Sequence, residues 1–329
     1  MSLKREDVLT ILAQNIGIRG SAFPVASSAL TAWAEGLGIR KGGHTVLYTG
    51  HMYQIIPFIL GMQKREAFMR SAPSWGMTVA RLINPVINLT RVITLGAAHP
   101  LDVVRYNRVL RDIATLLRAC GVEFGYLYEY EEYAGALPYD MGLDRVFLKH
   151  AHRVYKKLKG FGIRRLITVD PHTTEMFKNV YPEVIEEFDI EVVNYLELLA
   201  ERWRPKIKGG GHKKAFVIHD SCVYSRYLGI FEEPRSILRR IGVEFQEPLL
   251  SKRLTHCCGG PIESIFPERA KEVAKARMEQ LEPLGREIVT MCPICHLNLG
   301  AVKDENTQLW DIATILRDIQ KEQGGNGNG

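Results

Sequence analysis

Apolar positions along the chain gather into short dense runs, and longer amphipathic stretches separate them. In the C-terminal half, AFVIH (215–219) reads as a buried strand, followed by a loop that carries Cys222. EEPRSILRRIG predicts a short helix, VEFQEP a further strand, and the segment ending in HCCGGP a loop. PERAKEVAKARMEQLEPLG has the spacing of a long amphipathic helix, with Pro267 where a helix start tolerates proline. EIVTM is the next strand, and CPICHLNLG opens a helix. Strands alternating with helices predict parallel β-α-β units.

The N-terminal half repeats this order. HTVLYTGHMY (44–53) resembles AFVIHDSCVY (215–224), RACGVEFGYLYEY mirrors RRIGVEFQEPLLS, and RRLITVDPHT mirrors GREIVTMCPIC. VVNYLELLAERW and LWDIATILRDIQ then close each half. The last three pairs are offset by about 120 residues, as two copies of one supersecondary unit would be. The chain therefore reads as α/β, two pseudo-repeated Rossmann-like units with parallel sheets. A helical extension is expected over 1–43, a first copy over 44–207 with an insert at about 61–101, and a cysteine-rich copy over 212–321. KGGGHKK (208–214) is the expected linker and 322–329 a disordered tail.

The copies differ in chemistry. Cys222 faces His51 in the comparison, Cys257-Cys258-Gly259 faces Tyr133-Ala134-Gly135, and Cys292 and Cys295 face Asp170 and Thr173. Only the second copy carries the complete thiol set.

Composition adds less. At 329 residues, 46% hydrophobic and 24% charged, the chain has room for two domains with ordinary cores. IIPFILGM (55–62) is too short to cross a bilayer, and the charged residues at 4–7 leave no apolar leader segment. These features predict a cytoplasmic protein without a membrane span, any association with a membrane being through partners. The net charge of +6 is spread over helices such as RVYKKLKGFGIRR, so it reads as a solvated face rather than a nucleic-acid stripe.

Six cysteines in a reducing compartment are not expected to form structural disulfides. Cys120 ends a helical apolar stripe and reads as core, whereas the other five follow the pattern C-x34-C-C-x33-C-x2-C. Each of their segments ends a strand or starts a helix, so the sulfurs can converge at the carboxyl edge of one parallel sheet, where such sheets place ligands. CPIC puts Cys292 near a helix N-cap, where the dipole favours a thiolate. Gly259 and Gly260 allow the backbone close to a bulky inorganic group. Taken alone, CPICH fits haem c attachment, a zinc site, a redox dithiol or an iron–sulfur site. Haem c leaves Cys222, Cys257 and Cys258 unexplained, and so does a dithiol. Zinc takes four ligands where five cysteines stand. A cluster of several irons fits the set best, and zinc remains the alternative.

At these residues, HDSC…EEPR…HCCGGP…MCPICHLNL, the sequence resembles the CCG domain, the cysteine-rich module of the B-type subunit of heterodisulfide reductase. The same module occurs in the D-type subunit of that enzyme, in the C-type subunit of anaerobic glycerol-3-phosphate dehydrogenase and in lactate-utilisation iron–sulfur proteins. The second half matches nearly throughout and the first in framework only. The resemblance implies that Cys222, Cys257, Cys258, Cys292 and Cys295, with Gly259 beside them, bind one noncubane 4Fe-4S cluster. It implies an oxidoreductase subunit that reduces or forms a disulfide or thiol substrate. Its partners would be a ferredoxin-type iron–sulfur subunit, similar to the C-type subunit of heterodisulfide reductase, and a flavoprotein. A noncatalytic electron-relay or zinc scaffold is the alternative. One complete motif departs from the two-cluster arrangement of heterodisulfide reductase, which puts the methanogen heterodisulfide in doubt as substrate.

Around the cysteines, His219, Asp220, His256 and His296 are candidates for hydrogen bonds or proton delivery to a bound sulfur, with His256 preferred because it adjoins Cys257. His51, Asp170 and His172 occupy vacated ligand positions and read as a repurposed surface. WGMTVARLINPVINLTRVITLG (75–96) predicts an apolar helix interrupted at Pro85. With the segment around Trp33 and Leu37, it would either pack as core or dock an electron donor.

Overall fold

Among the described residues, seven short strands form where the apolar runs are densest: β1 (Thr45–Tyr48), β2 (Arg165–Thr168), β3 (Glu191–Asn194), β4 (Phe216–Ile218), β5 (Phe245–Gln246), β6 (Glu287–Thr290) and β7 (Gln308–Asp311). They belong to a computed structural model that describes residues 5–70, 74–94, 96–205 and 214–324. Most of the linker expected at 208–214 and of the tail expected at 322–329 lies outside these residues. The strands make two sheets, in the orders β1-β2-β3 and β5-β4-β6-β7. In the second, β4 runs parallel to both β5 and β6, and β6 runs parallel to β7 with Val289 opposite Trp310. Phe216, Val217 and Ile218 of β4 are all buried, as are Ile288, Val289 and Thr290 of β6. Continuous burial, rather than alternation, marks parallel strands covered on both faces.

The repeat is visible in the topology. Beside β1, Gly125 pairs with Val46 and Tyr126 with Lys41 as isolated parallel bridges. That segment stands to β1 as β5 stands to β4. Gly135 and Gly259, matched in sequence, share a left-handed backbone at φ +93° and +84°. The α/β fold with two parallel sheets is the one the sequence predicts.

Compact packing divides the chain into two units that do not follow linear order. One comprises Met1–Asn107, Phe124–Leu166 and Met176–Val192; the other comprises Arg108–Glu123, Ile167–Glu175 and Val193–Gly329. The second unit thus takes the segment around Asp170 and His172 together with all five clustered cysteines. Its core is built from Val217, Ala274, Met278, Leu281, Ile288 and Leu299, and it includes Cys258, Cys292 and Cys295.

Within the first unit, the break expected at Pro85 is present: helices run over Ser74–Ile83 and Leu89–Thr94 with a turn between. Leu82, Val86 and Val92 on this segment are exposed, whereas Trp33 is fully buried. Cys120, expected in the core, is only half-buried at the end of the helix Pro100–Ala119. Among the described residues, no helix is long and apolar enough to cross a membrane.

Candidate metal centre

The two central strands of the second sheet, β4 and β6, lead into Cys222, Cys292 and Cys295, and the segment after β5 carries Cys257 and Cys258. Past the carboxyl end of β4, Cys222 caps a π-helical turn, Val223–Leu228, a rare geometry that recurs at functional sites. Past β6, Cys292 is the N-cap of the helix Pro293–Gly300, with Pro293 in its first turn and Cys295 inside it. Cys257 and Cys258 sit in the loop after the short turn Lys252–Leu254. The loop turns at Gly259, where a Cβ would lie 2.5 Å from the Ala270 carbonyl oxygen. At Gly260 a Cβ would meet Ile294 Cγ2 at 2.4 Å and approach Cys258 Sγ to 3.5 Å. Both glycines are therefore required by close approach, and Gly259 also by its left-handed φ.

All five thiols are free, Cys222 and Cys257 half-buried, the other three buried. Their sulfurs form one continuous chain of contacts. Cys222 Sγ lies 3.7 Å from Cys257 Sγ; Cys257 then meets Cys258, Cys258 meets Cys295, and Cys295 meets Cys292. The convergence expected from the spacing is thus present for every one of the five.

The electrostatics show what such a set needs. Hydrogen bonds from Cys222 and Cys258, with the Gly259 N–H at 3.3 Å, hold the Cys257 thiol far below its ordinary range. Burial opposes ionisation of Cys292, but hydrogen bonds from Cys295 and His172 outweigh it and lower its pKa. Cys222, Cys258 and Cys295 are pushed upward, first by the sulfur neighbours to which they donate and then by burial. Protein groups alone stabilise two thiolates here and resist the other three. A cationic metal core would reverse that balance, since coordinated thiols are deprotonated. Five sulfurs exceed a tetrahedral ion's ligand number by one and fit a polynuclear iron–sulfur group.

The surrounding polar residues divide by role. Asp220 is locked: both carboxylate oxygens accept from the buried Arg235 at 2.8 Å, and Oδ2 accepts from the Lys252 N–H at 2.7 Å. It braces the loop leading to Cys257. His256 turns Nδ1 to the Cys257 carbonyl oxygen at 3.0 Å, and His296 turns Nε2 to the Leu309 carbonyl oxygen at 3.3 Å. A carbonyl only accepts, so the facing nitrogen of each ring carries the proton.

His219 is placed differently. Its Nδ1 accepts from Arg277 Nε at 3.0 Å, while Nε2 is buried without a partner among the described residues. Burial, with Arg277 adding to it, keeps the ring neutral by lowering its pKa well below 6.5. His219, Cys258 and Cys295 bring their ligand atoms within 4.8 Å of one another.

Of the vacated positions, His51 belongs to the first unit, and burial lowers its pKa to about 4. Asp170 and His172 belong to the second. Burial raises Asp170 to about 6, with the Cys292 charge adding to it, although its Oδ1 accepts from the Thr173 N–H at 3.0 Å. His172 reaches the Cys292 sulfur, so at this position the surface reading gives way to a contact with the thiol cage. The sequence reading passes over Arg277 entirely. The available signal was its position: with Ala270, Ala274, Met278 and Leu281 it shares the buried stripe of the helix Pro267–Leu281, where a charge demands a partner.

Residues 216–300 match the family model CCG, described as a cysteine-rich domain. Over 276 residues the chain is 30% identical to the probable iron-sulfur-binding oxidoreductase FadF of Bacillus subtilis, covering 79% of this chain and 38% of that protein. It is 29% identical to the EtfAB:quinone oxidoreductase of Syntrophomonas wolfei, covering 64% of this chain and 32% of that one. It is also 29% identical to the D-type subunit of the dihydromethanophenazine:CoB--CoM heterodisulfide reductase of Methanosarcina mazei, covering 60% and 52%. The chain spans between 32% and 52% of the length of these relatives.

Proposed function

We propose that Cys222, Cys257, Cys258, Cys292 and Cys295 hold one noncubane 4Fe-4S cluster, as the match of residues 216–300 to the CCG cysteine-rich domain supports. The observation that carries this reading is the unbroken file of five free sulfurs at the carboxyl edge of β4 and β6. When bound, the cluster would supply one-electron redox chemistry and an iron site for a substrate sulfur. The protein's part is containment. Cys258, Cys292 and Cys295 are buried on the core side, while Cys222 and Cys257 are half-buried. A small disulfide or thiol would therefore approach beside Cys222 and Cys257.

His256 would serve that approach. With its proton on Nδ1 and directed at the Cys257 carbonyl, its Nε2 is left with a lone pair. It is half-buried, so Nε2 can take a proton from solvent and pass it to a departing thiolate. Electrons would come from a ferredoxin-type iron–sulfur partner and, behind it, a flavoprotein. The names of the relatives support this reading: one is an iron-sulfur-binding oxidoreductase, another a heterodisulfide reductase subunit.

Anaerobic purification followed by iron, sulfide and zinc analysis is the direct test. Four irons with sulfide per chain, lost in Cys258→Ser, support the proposal. One zinc without sulfide would replace it with the scaffold reading. Anaerobic turnover of small disulfides with a reduced ferredoxin as donor then separates catalysis from electron relay.

A further inference from the structure

The histidine at the end of β4 carries more information than its neighbours. The His219 N–H donates to the Val289 carbonyl oxygen at 2.9 Å, which pins its backbone between the central strands. Its ring is pinned as firmly. Arg277, fully buried, gives Nε to His219 Nδ1 at 3.0 Å, Nη1 to the Leu250 carbonyl oxygen at 2.9 Å and to Gln280 Oε1 at 2.8 Å, and Nη2 to Thr255 Oγ1 at 3.3 Å. Thr255 is fixed in turn, donating to the Asp220 carbonyl oxygen at 3.0 Å.

We propose that His219 is a fixed N–H donor to the sulfur cage rather than a metal ligand, and that Arg277 is the positioning residue that imposes this role. The inference rests on the reading that the five cysteines hold a cluster. Its core is elementary chemistry. An arginine side chain has only donors, so whichever ring nitrogen faces Arg277 Nε must present a lone pair. In a neutral imidazole the single proton then sits on Nε2. To bind a metal, Nε2 would need its lone pair free, which would move the proton to Nδ1 and set it against the Arg277 N–H. The trio His219, Cys258 and Cys295 has the proximity of a metal site but the wrong tautomer for one. Nε2 is also a buried polar atom without a partner among the described residues, and the sulfurs of Cys258 and Cys295, whose ligand atoms lie within 4.8 Å of that of His219, are able to accept its proton. Hydrogen bonds to the sulfurs of a cluster stabilise its more negative, reduced state and raise its potential.

The test uses the full chain, purified anaerobically with its cluster. The midpoint potential is measured by redox titration. Couplings of nitrogen and of exchangeable protons to the paramagnetic cluster are measured by electron–nuclear double resonance in H2O and D2O. The wild type is expected to show an exchangeable proton coupled to the cluster and no directly bonded nitrogen. His219→Leu should keep its iron, lose that proton coupling and shift to lower potential. His219→Gln, whose amide can both accept from Arg277 and donate, should stay near the wild type. Arg277→Lys retains a donor toward Nδ1 and should preserve the wild-type proton signal. A bonded-nitrogen coupling in the wild type, or loss of iron in both His219 variants, would make His219 a ligand and overturn the proposal. So would a fully loaded His219→Leu protein with unaltered potential and coupling. Wild-type protein that binds no iron would instead overturn the cluster reading beneath it.

Discussion

Replacing Asp220 by alanine isolates the buried charge pair that supports the cysteine loop. Arg235 and Asp220 side chains are 0% and 1% exposed and meet through two bonds of 2.8 Å. Removing the carboxylate leaves the guanidinium in the core with Glu247, at 3.0 Å from Nε and 2.6 Å from Nη2, and the Phe231 carbonyl. Breaking a buried pair costs about 3–5 kcal/mol, and the surviving Glu247 contact places this case near the lower bound, about 3 kcal/mol. The same substitution frees the Lys252 N–H, so the loop entering Cys257 loses an anchor and iron retention should fall as well. Urea unfolding of the iron-loaded protein reads the first effect and iron content after gel filtration the second. Removing both charges in Asp220→Ala/Arg235→Met leaves no unpaired guanidinium, so the double variant should be more stable than the single one. A single variant within about 1 kcal/mol of wild type, or a double variant less stable than the single, would refute the argument that desolvated charge governs this loop.

Other consequences can be checked in parallel. Glu131, in the first unit, is raised from 4.5 to about 8 by burial, even though Oε1 accepts from the Thr49 N–H and hydroxyl at 2.7 Å. The folded state keeps this proton while the unfolded chain loses it near pH 4.5, so stability present below 4.5 should decline as pH rises to about 8. Glu131→Gln should flatten that part of the profile and stabilise the protein at pH 8 in thermal melts. Gly259→Ala meets both a φ of +84° and a carbonyl 2.5 Å from the new Cβ; strain of about 1–3 kcal/mol and reduced iron content are expected. Cys120→Ser should leave iron content unchanged, because its charged neighbours are Arg202, Arg204 and Arg240, whereas Cys295→Ser should lower it sharply.

Where periodicity decides, the sequence is a good guide. The parallel sheets, the duplicated strand order and the break near Pro85 all follow from apolar runs and punctuating residues. The thiol spacing likewise foretells the meeting of five sulfurs, since each precedes or follows an element whose end is predictable. Arg277 escapes because the alternation of a helix reports which face is inside, not which polar partner waits there; its four acceptors come from residues 219, 250, 255 and 280. Asp220 illustrates the same limit from the other side. Adjacent to the site in sequence, it suggests chemistry, yet Arg235 and the Lys252 backbone consume it as a brace. His172 was visible only as a vacated position, because a contact with Cys292 depends on how the chain folds back between its copies.

That return of Ile167–Glu175 to the cysteine-bearing unit has a practical side. A gene trimmed to the homology-matched stretch 216–300 would encode every thiol yet omit His172, strand β7 and the terminal helix Ile312–Gly324. Such a fragment would leave the outer edge of β6 bare, inviting strand-to-strand aggregation, and would remove a wall from around Cys292. The copy without cysteines thus lends Ile167–Glu175 to the surroundings of the copy that has them, and a fragment cut at the boundary between the two would lose that contribution.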